Sequence, residues 1–224
     1  MAYTLSPSTL SLFEECPRCF WLHFRMGIKR PDSLFSSLPS GMDKLIKSYF
    51  DGFRKRKELP PELAQLNEVA LYQNKDMLKI WRNNFKGIRW TDNKGNMLKG
   101  AVDEILVHNN KLIVLDFKTR GFPLKQDTHE HYRTQLNIYN LLLRKNGFQT
   151  EDYSYLLFFY PMSVKGQGYV RFELVLIKLT VNTEQAELLF NRAIECLEGS
   201  IPEASEDCDY CKYTSKLLSF EKHL

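Results

Sequence analysis

Residues 100–119 read GAVDEILVHNNKLIVLDFKT, and the organisation of the chain is read outward from them. Two apolar runs of period two flank Asn109-Asn110, a pair suited to the tight turn of a hairpin. The alternation predicts strands over 97–107 and 111–118. A two-residue turn sets His108 against Lys111, Val107 against Leu112, Ile105 against Val114, Asp103 against Asp116 and Ala101 against Lys118. Opposed residues point to one side of a sheet, with Cβ atoms roughly 4.5–5.5 Å apart. One face is therefore aliphatic and then turns abruptly into Asp103, Asp116 and Lys118, while Glu104 falls on the other face.

Facing carboxylates repel unless a proton or cation lies between them. A hard divalent ion such as Mg²⁺ or Mn²⁺ suits such an all-oxygen site. It would lower the pKa of a bound water and stabilise charge on a phosphate under attack. Lys118 would hold or orient that water, or neutralise the developing charge. The plainer reading is a solvated strand end where the apolar stripe stops. Gln135 and Tyr139, spaced i, i+4 on the next helical stretch, share a face and could position a phosphate or water beside a metal. Tyr139 equally suits an ordinary core.

Downstream, a helix is expected over 128–145, stopped by Asn146-Gly147. Strands follow over 153–160 and 169–179 with Gly166 and Gly168 between them, then a helix over 183–197 and a loop-like tail from Gly199. Upstream, Ser6-Pro7-Ser8 starts a helical segment carrying Leu10, Phe13, Phe20 and Phe24. Residues 34–39 read as loop. Ser40 is the expected N-cap of a helix to Arg56, with Leu45, Ile46, Tyr49, Phe50 and Phe53 on its apolar side. Pro60-Pro61 opens a further helical stretch reaching Trp81 and Phe85. This order specifies an α/β fold on a mixed sheet. A single domain over 1–224 is expected: a mainly helical part to 85, a core over 86–198 and a cysteine-bearing tail.

The 224 residues carry 31 basic and 27 acidic side chains, a net charge of +4. With 43% hydrophobic and 13% aromatic residues the chain can bury a core, which excludes disordered and fibrous classes. No apolar run approaches the length of a membrane span, and the first ten residues lack the features of an export signal, so a cytoplasmic location is expected. Five cysteines in such a chain point to metal or cluster ligation more than to disulfides.

Taken in order, Gly100-Ala101-Val102-Asp103, Leu115-Asp116-Phe117-Lys118-Thr119 and Gln135 with Tyr139 resemble the PD-(D/E)XK nuclease superfamily. The resemblance is nearest to its RecB-like branch, which includes CRISPR-associated exonucleases and recombination nuclease domains. It implies a restriction-endonuclease-like mixed sheet flanked by helices. It implies that Asp103 and Asp116 ligate Mg²⁺ or Mn²⁺, with the Phe117 carbonyl a further ligand and Lys118 the catalytic lysine. Gln135 and Tyr139 form the accompanying helix motif. The implied reaction is phosphodiester hydrolysis in DNA, on the family analogy an exonuclease action on single-stranded ends, in repair or alongside a helicase, CRISPR or recombination partner. No G-x-x-x-x-G-K-[ST] loop occurs, so a motor would be a separate chain.

Many RecB-like members add a metal-ligating His from an early helix, and Ser40-Gly41-Met42-Asp43-Lys44 has none. Asp43 either substitutes or is a first-turn acid favoured by the helix dipole. The departure keeps two rivals open: a catalytically weak DNA-binding or adaptor subunit, and a metal-stapled structural partner.

Cys16-Pro-Arg-Cys19 and Cys208-Asp-Tyr-Cys211 form two CxxC pairs, a tetrathiolate pattern suited to zinc or an iron–sulfur cluster. The resemblance implies a four-iron four-sulfur cluster, though cluster-bearing relatives usually place one cysteine early and three late, and the even split here leaves zinc and no metal as alternatives. Cys196 reads as a packing residue. Arg54 to Lys57 read as phosphate contacts or a solvated helix end. Trp81, Trp90, Phe122 and Tyr132 could stack bases, with core packing the default for the two tryptophans.

Overall fold

A computed structural model describes residues 2–31 and 37–221. In chain order the elements are β1 (Thr4–Leu5), α1 (Pro7–Glu15), α2 (Pro17–Arg25), α3 (Ser37–Arg56), β2 (Val69–Leu71), α4 (Lys75–Trp81), β3 (Ile88–Thr91) and β4 (Met97–Gly100). There follow β5 (Glu104–His108), β6 (Lys111–Thr119), α5 (Arg133–Lys145), β7 (Tyr153–Val164), β8 (Val170–Thr180), α6 (Thr183–Glu198) and α7 (Asp209–Glu221). Short 3₁₀ turns lie at Pro61–Leu63, Thr128–Tyr132 and Gly166–Gly168. The chain divides into two units: Met1–Leu34, Thr91–Leu98 and Glu187–Leu224 form the first, Phe35–Trp90 and Lys99–Ala186 the second. The mixed α/β architecture is the one expected.

The second unit is built on a five-stranded sheet of order β2-β5-β6-β7-β8. Its centre is the hairpin, closed by Asn109 and Asn110 with φ of 47° and 62°. Both lie in the left-handed region that asparagine tolerates, as a type I′ turn requires. The register is Ile105↔Val114, Val107↔Leu112 and His108↔Lys111, as the turn dictates. β7 joins β6 in parallel and β8 returns antiparallel.

One face of this sheet packs Leu106, Ile113, Leu115, Phe117, Leu157 and Phe159 against Ile46 and Phe50 of α3. The buried stripe of α3 runs Ile46, Phe50, Arg54 at i, i+4 spacing, while Leu45 and Tyr49 are exposed. α5 covers the other face, and its Asn140 bonds Ser154 Oγ on β7 at 2.8 Å.

Several elements differ from expectation. α3 is already helical at Ser37, so Ser40 lies inside it rather than capping it. Pro39 is tolerated there because first-turn amides have no helical partner. Residues 34–36 of the expected loop lie outside the described residues. The helix expected after Pro60-Pro61 is instead a 3₁₀ turn, β2 and the seven-residue α4, because Val69, Ala70 and Leu71 pair with the edge of β5. The first strand of the hairpin is divided into β4 and β5.

In the first unit, Ser6 caps α1 through a reciprocal box with Thr9. The expected single helical segment breaks at Cys16, which ends α1 and caps α2, with Pro17 at the first position of α2. The tail is not loop throughout: α7 occupies Asp209–Glu221.

Candidate active site

β6 carries Asp116 and Lys118 two residues apart, which puts both on the face of the sheet covered by α5. Asp116 is 1% exposed. The pairing of β5 with β6 ends at Glu104↔Leu115, so Asp103 does not sit directly opposite Asp116. The backbone has left the ladder by then, with the Val102 amide donating to the Trp81 carbonyl at 3.1 Å. Asp103 instead turns its side chain back, and Oδ2 accepts from the Phe117 amide at 2.9 Å. That bond satisfies a strand amide beyond the end of the ladder and relieves head-on opposition of two carboxylates.

Gln135, on α5, joins the group together. Its Nε2 donates to Asp116 Oδ1 at 3.2 Å and to the Tyr139 hydroxyl at 2.7 Å, and its Oε1 accepts from Lys118 Nζ at 2.9 Å. Tyr139 is buried. Its ring explains Gly100: a Cβ there would lie 2.8 Å from Tyr139 Cε1. The motif glycine thus lets α5 approach closely enough for Gln135 to reach Asp116.

Lys47, which the sequence reading passed over, completes the charge balance. Its ammonium lies 2.8 Å from both Asp103 Oδ1 and Asp43 Oδ1. Asp43 is therefore drawn to the site through Lys47, and it sits beyond the first turn of α3, not in it as the dipole reading supposed. The i, i+4 spacing of Asp43 and Lys47 was the available signal.

Burial pushes the Asp116 carboxyl up to about 7, opposed by the Lys118 charge and reinforced by Asp103. For Lys118, burial alone would lower the ammonium pKa, but Asp116 and Asp103 outweigh it and raise it. The same contest, with Asp103 and Asp43 as partners, raises Lys47. Lys118 Nζ is 2.6 Å from the buried Asp116 Oδ2, an ion pair inside the site.

The donor set is the test of whether a metal fits. Asp116 Oδ2 is met by the Lys118 ammonium at 2.6 Å, and the charge that two ammonium groups supply to two carboxylates is that of one divalent ion. Asp103 and Asp116 are hard oxygen donors, so the residues present fit Mg²⁺ or Mn²⁺.

On the opposite face, the buried Glu104 accepts from Arg54 and, at 2.9 Å, from Arg82 Nη2. Arg82 Nε also donates to the Asp103 carbonyl at 2.7 Å. Burial pushes the Glu104 carboxyl up against the pull of Arg82 and Arg54. Arg54 is only 1% exposed, so it is neither a solvated helix end nor a surface phosphate contact, unlike Lys55 and Arg56, which are exposed. Trp81 is core. Tyr132 lies under Lys118, 4.6 Å from ring centroid to Nζ, and Phe122 is 78% exposed.

A family model for the PD-(D/E)XK nuclease superfamily matches residues 36–215. The chain belongs to this superfamily. A search of curated proteins finds no match. PD-(D/E)XK proteins use divalent metals, and membership points to nuclease chemistry and contact with nucleic acid. Among the described residues no helix is long and apolar enough to cross a membrane.

The PD-(D/E)XK match takes in Cys208 and Cys211 but begins after Cys16 and Cys19. In the first unit the four sulfurs lie within 4.8 Å of one another, with Cys16 to Cys211 at 3.9 Å and Cys19 to Cys208 and to Cys211 at 3.6 Å. Each CxxC pair sits at a helix start: Cys16 caps α2, and Cys208 directly precedes α7. Helix starts favour thiolate. Burial would raise the Cys16 thiol, but amides of Cys19 and Ser205 donate to it and bring it down to about 6. Burial and neighbouring sulfurs push Cys211 up. Four thiols this close cannot all ionise without a cation among the sulfurs. The donor set fits a thiolate-bound metal.

Proposed function

We propose that the chain is a metal-dependent deoxyribonuclease, hydrolysing phosphodiester bonds from single-stranded ends. Asp103, Asp116 and the Phe117 carbonyl would hold Mg²⁺ or Mn²⁺, which supplies an activated water and charge neutralisation at the phosphate. Lys118 orients that water or meets developing negative charge, and Gln135 fixes Lys118 and Asp116 relative to each other. Tyr139 holds Gln135. The observation that carries the reading is Gln135 bridging Asp116 and Lys118, which are themselves ion-paired at 2.6 Å. Phe122, 78% exposed, supports a single-stranded substrate, since unpaired bases stack on such rings. The exonuclease mode and the RecB-like branch rest on the sequence resemblance alone.

Chelator should abolish cleavage of a linear single strand and Mg²⁺ or Mn²⁺ should restore it, while a circular strand of the same sequence stays intact. Cutting of the circle would replace exonuclease with endonuclease action. The alternative is a weak or inactive nucleic-acid-binding subunit, favoured by the salt bridge from Lys47 to Asp103 and by the absence of His from residues 40–44. It predicts binding without cleavage under every metal.

For Cys16, Cys19, Cys208 and Cys211 we infer zinc over the four-iron cluster that the resemblance implies. A Zn–S bond of about 2.3 Å in a tetrahedron sets sulfurs about 3.8 Å apart; three of the separations are 3.6–3.9 Å and all four sulfurs lie within 4.8 Å of one another. A cube-shaped cluster spaces its thiolates more widely. Anaerobically purified protein should be colourless with about one zinc per chain, lost in Cys16→Ser. Brown protein with iron and sulfide would overturn this.

A further inference from the structure

A cleft of about 380 Å³ opens in the second unit, lined by Arg54, Lys55, Lys75, Lys79, Arg82 and Asp51 among others. Cavities of this size hold small ligands. Five of those side chains are cations and one is a carboxylate. Asp51 is already taken by Arg82, whose Nη1 lies 2.9 and 3.0 Å from its two oxygens, and by Arg54, whose Nη2 lies 3.6 Å from Oδ1. Glu104 beneath is shared by Arg54 and Arg82. The charge left over is strongly positive.

Two further features bear on this excess among the described residues. Arg54 is buried, yet its Nε and Nη1 have no hydrogen-bond partner. Such a guanidinium is a positive charge held in low dielectric with most of its donors unmet. Among the described residues, Lys55, Lys75 and Lys79 have no carboxylate within salt-bridge distance. Lys75 and Lys79 are spaced i, i+4 on α4, a like-charge arrangement that costs stability unless an anion is present.

The cleft is tied directly to the catalytic strand. Arg82 lines it and also donates to the carbonyl of Asp103. An anion seated here would therefore be held in fixed relation to the metal-binding carboxylate.

We propose that this cleft is a second phosphate site, gripping a phosphate of the nucleic-acid strand other than the one being cut. The proposal rests on the nuclease reading for its ligand, but not on catalysis for its test. The floor, Arg54 and Arg82, supplies fixed charge; the rim, Lys55, Lys75 and Lys79, supplies mobile ammonium groups. The phosphate is either a terminal monoester or an internal diester of the bound strand.

The experiment measures binding of labelled single-stranded oligonucleotides to the full chain in chelator, so that nothing is cut. Three probes are used: a 5′-phosphate, a 3′-phosphate, and hydroxyls at both ends. Lys75→Ala/Lys79→Ala, both exposed, should keep the thermal midpoint and weaken binding roughly tenfold. The slope of log affinity against log salt should fall by about 0.7, the contribution of one phosphate contact on a single strand. A loss confined to one phosphorylated end identifies the terminal monoester, and an equal loss on all probes identifies the internal diester. Unchanged affinity and slope, or no binding of any probe by the wild type, overturns the proposal. Cleavage by the wild type in Mg²⁺, run in parallel, separates the two readings. Cleavage with no effect of the double variant sinks the cleft and spares the nuclease; the variant's binding loss without wild-type cleavage does the reverse.

Discussion

Asp116→Ala and Lys118→Ala each lower the rate of metal-dependent cleavage by about 10³-fold or more, the scale on which removal of one charge-stabilising group acts. Asp116 has the larger effect because three things depend on it. It offers the buried Oδ2, it holds Gln135 through Oδ1, and it compensates Lys118. Lys118→Ala leaves the carboxylates in place, so metal binding survives while turnover falls. Gln135→Ala is the control for positioning: it removes the bonds to Lys118 and Asp116 but neither group itself. If wild type and variants degrade DNA at the same rate, the nuclease resides in a contaminant and the assignment fails. Metal affinity carries a pH signature. Below about 7 the Asp116 carboxyl takes up a proton that the metal must displace, so apparent affinity weakens as pH falls.

The second large effect is on stability. Arg54→Ala lowers the unfolding free energy by about 3 kcal/mol, at the low end of the 3–5 kcal/mol typical of a broken buried ion pair. The low end applies because Arg82 remains on Glu104. Alanine also removes a side chain from the stripe that continues Ile46 and Phe50. Denaturant unfolding measures the difference; a change within about 0.5 kcal/mol is what a solvated helix end would give. Lys57→Ala, at an exposed position just past α3, supplies that reference.

What the chain declares openly is the hairpin. Asn109-Asn110 permits a two-residue turn, alternation on both sides does the rest, and the pairs from Ile105↔Val114 to His108↔Lys111 follow. The helix stop at Asn146-Gly147 was equally legible, since Gly147 adopts a φ of 84°. The same rule misplaced Asp103, because periodicity cannot see where a ladder ends. That was decided by a distant partner, the Trp81 carbonyl, and by a side chain taking over a backbone acceptor's role. β2 escaped notice because three residues carry no period; only the exposed edge of β5 makes them a strand. Arg54 was hidden by its company. It opens a run of four basic residues, and nothing local says that it alone turns inward to Glu104. Lys47 was hidden for the opposite reason: a lysine on a helix with an acid four residues before it is the commonest of surface pairs, and its reach to Asp103 depends on tertiary structure.

The most direct test of the central claim, that Asp103 and Asp116 hold the ion that drives hydrolysis, is Mn²⁺ binding followed by electron paramagnetic resonance. It is run on wild type and Asp116→Asn, with cleavage measured on the same samples. The predicted result is that the wild type binds Mn²⁺ and cuts, and that the variant loses both together while remaining folded. Cleavage that persists in Asp116→Asn, or in wild type stripped of metal, would contradict it.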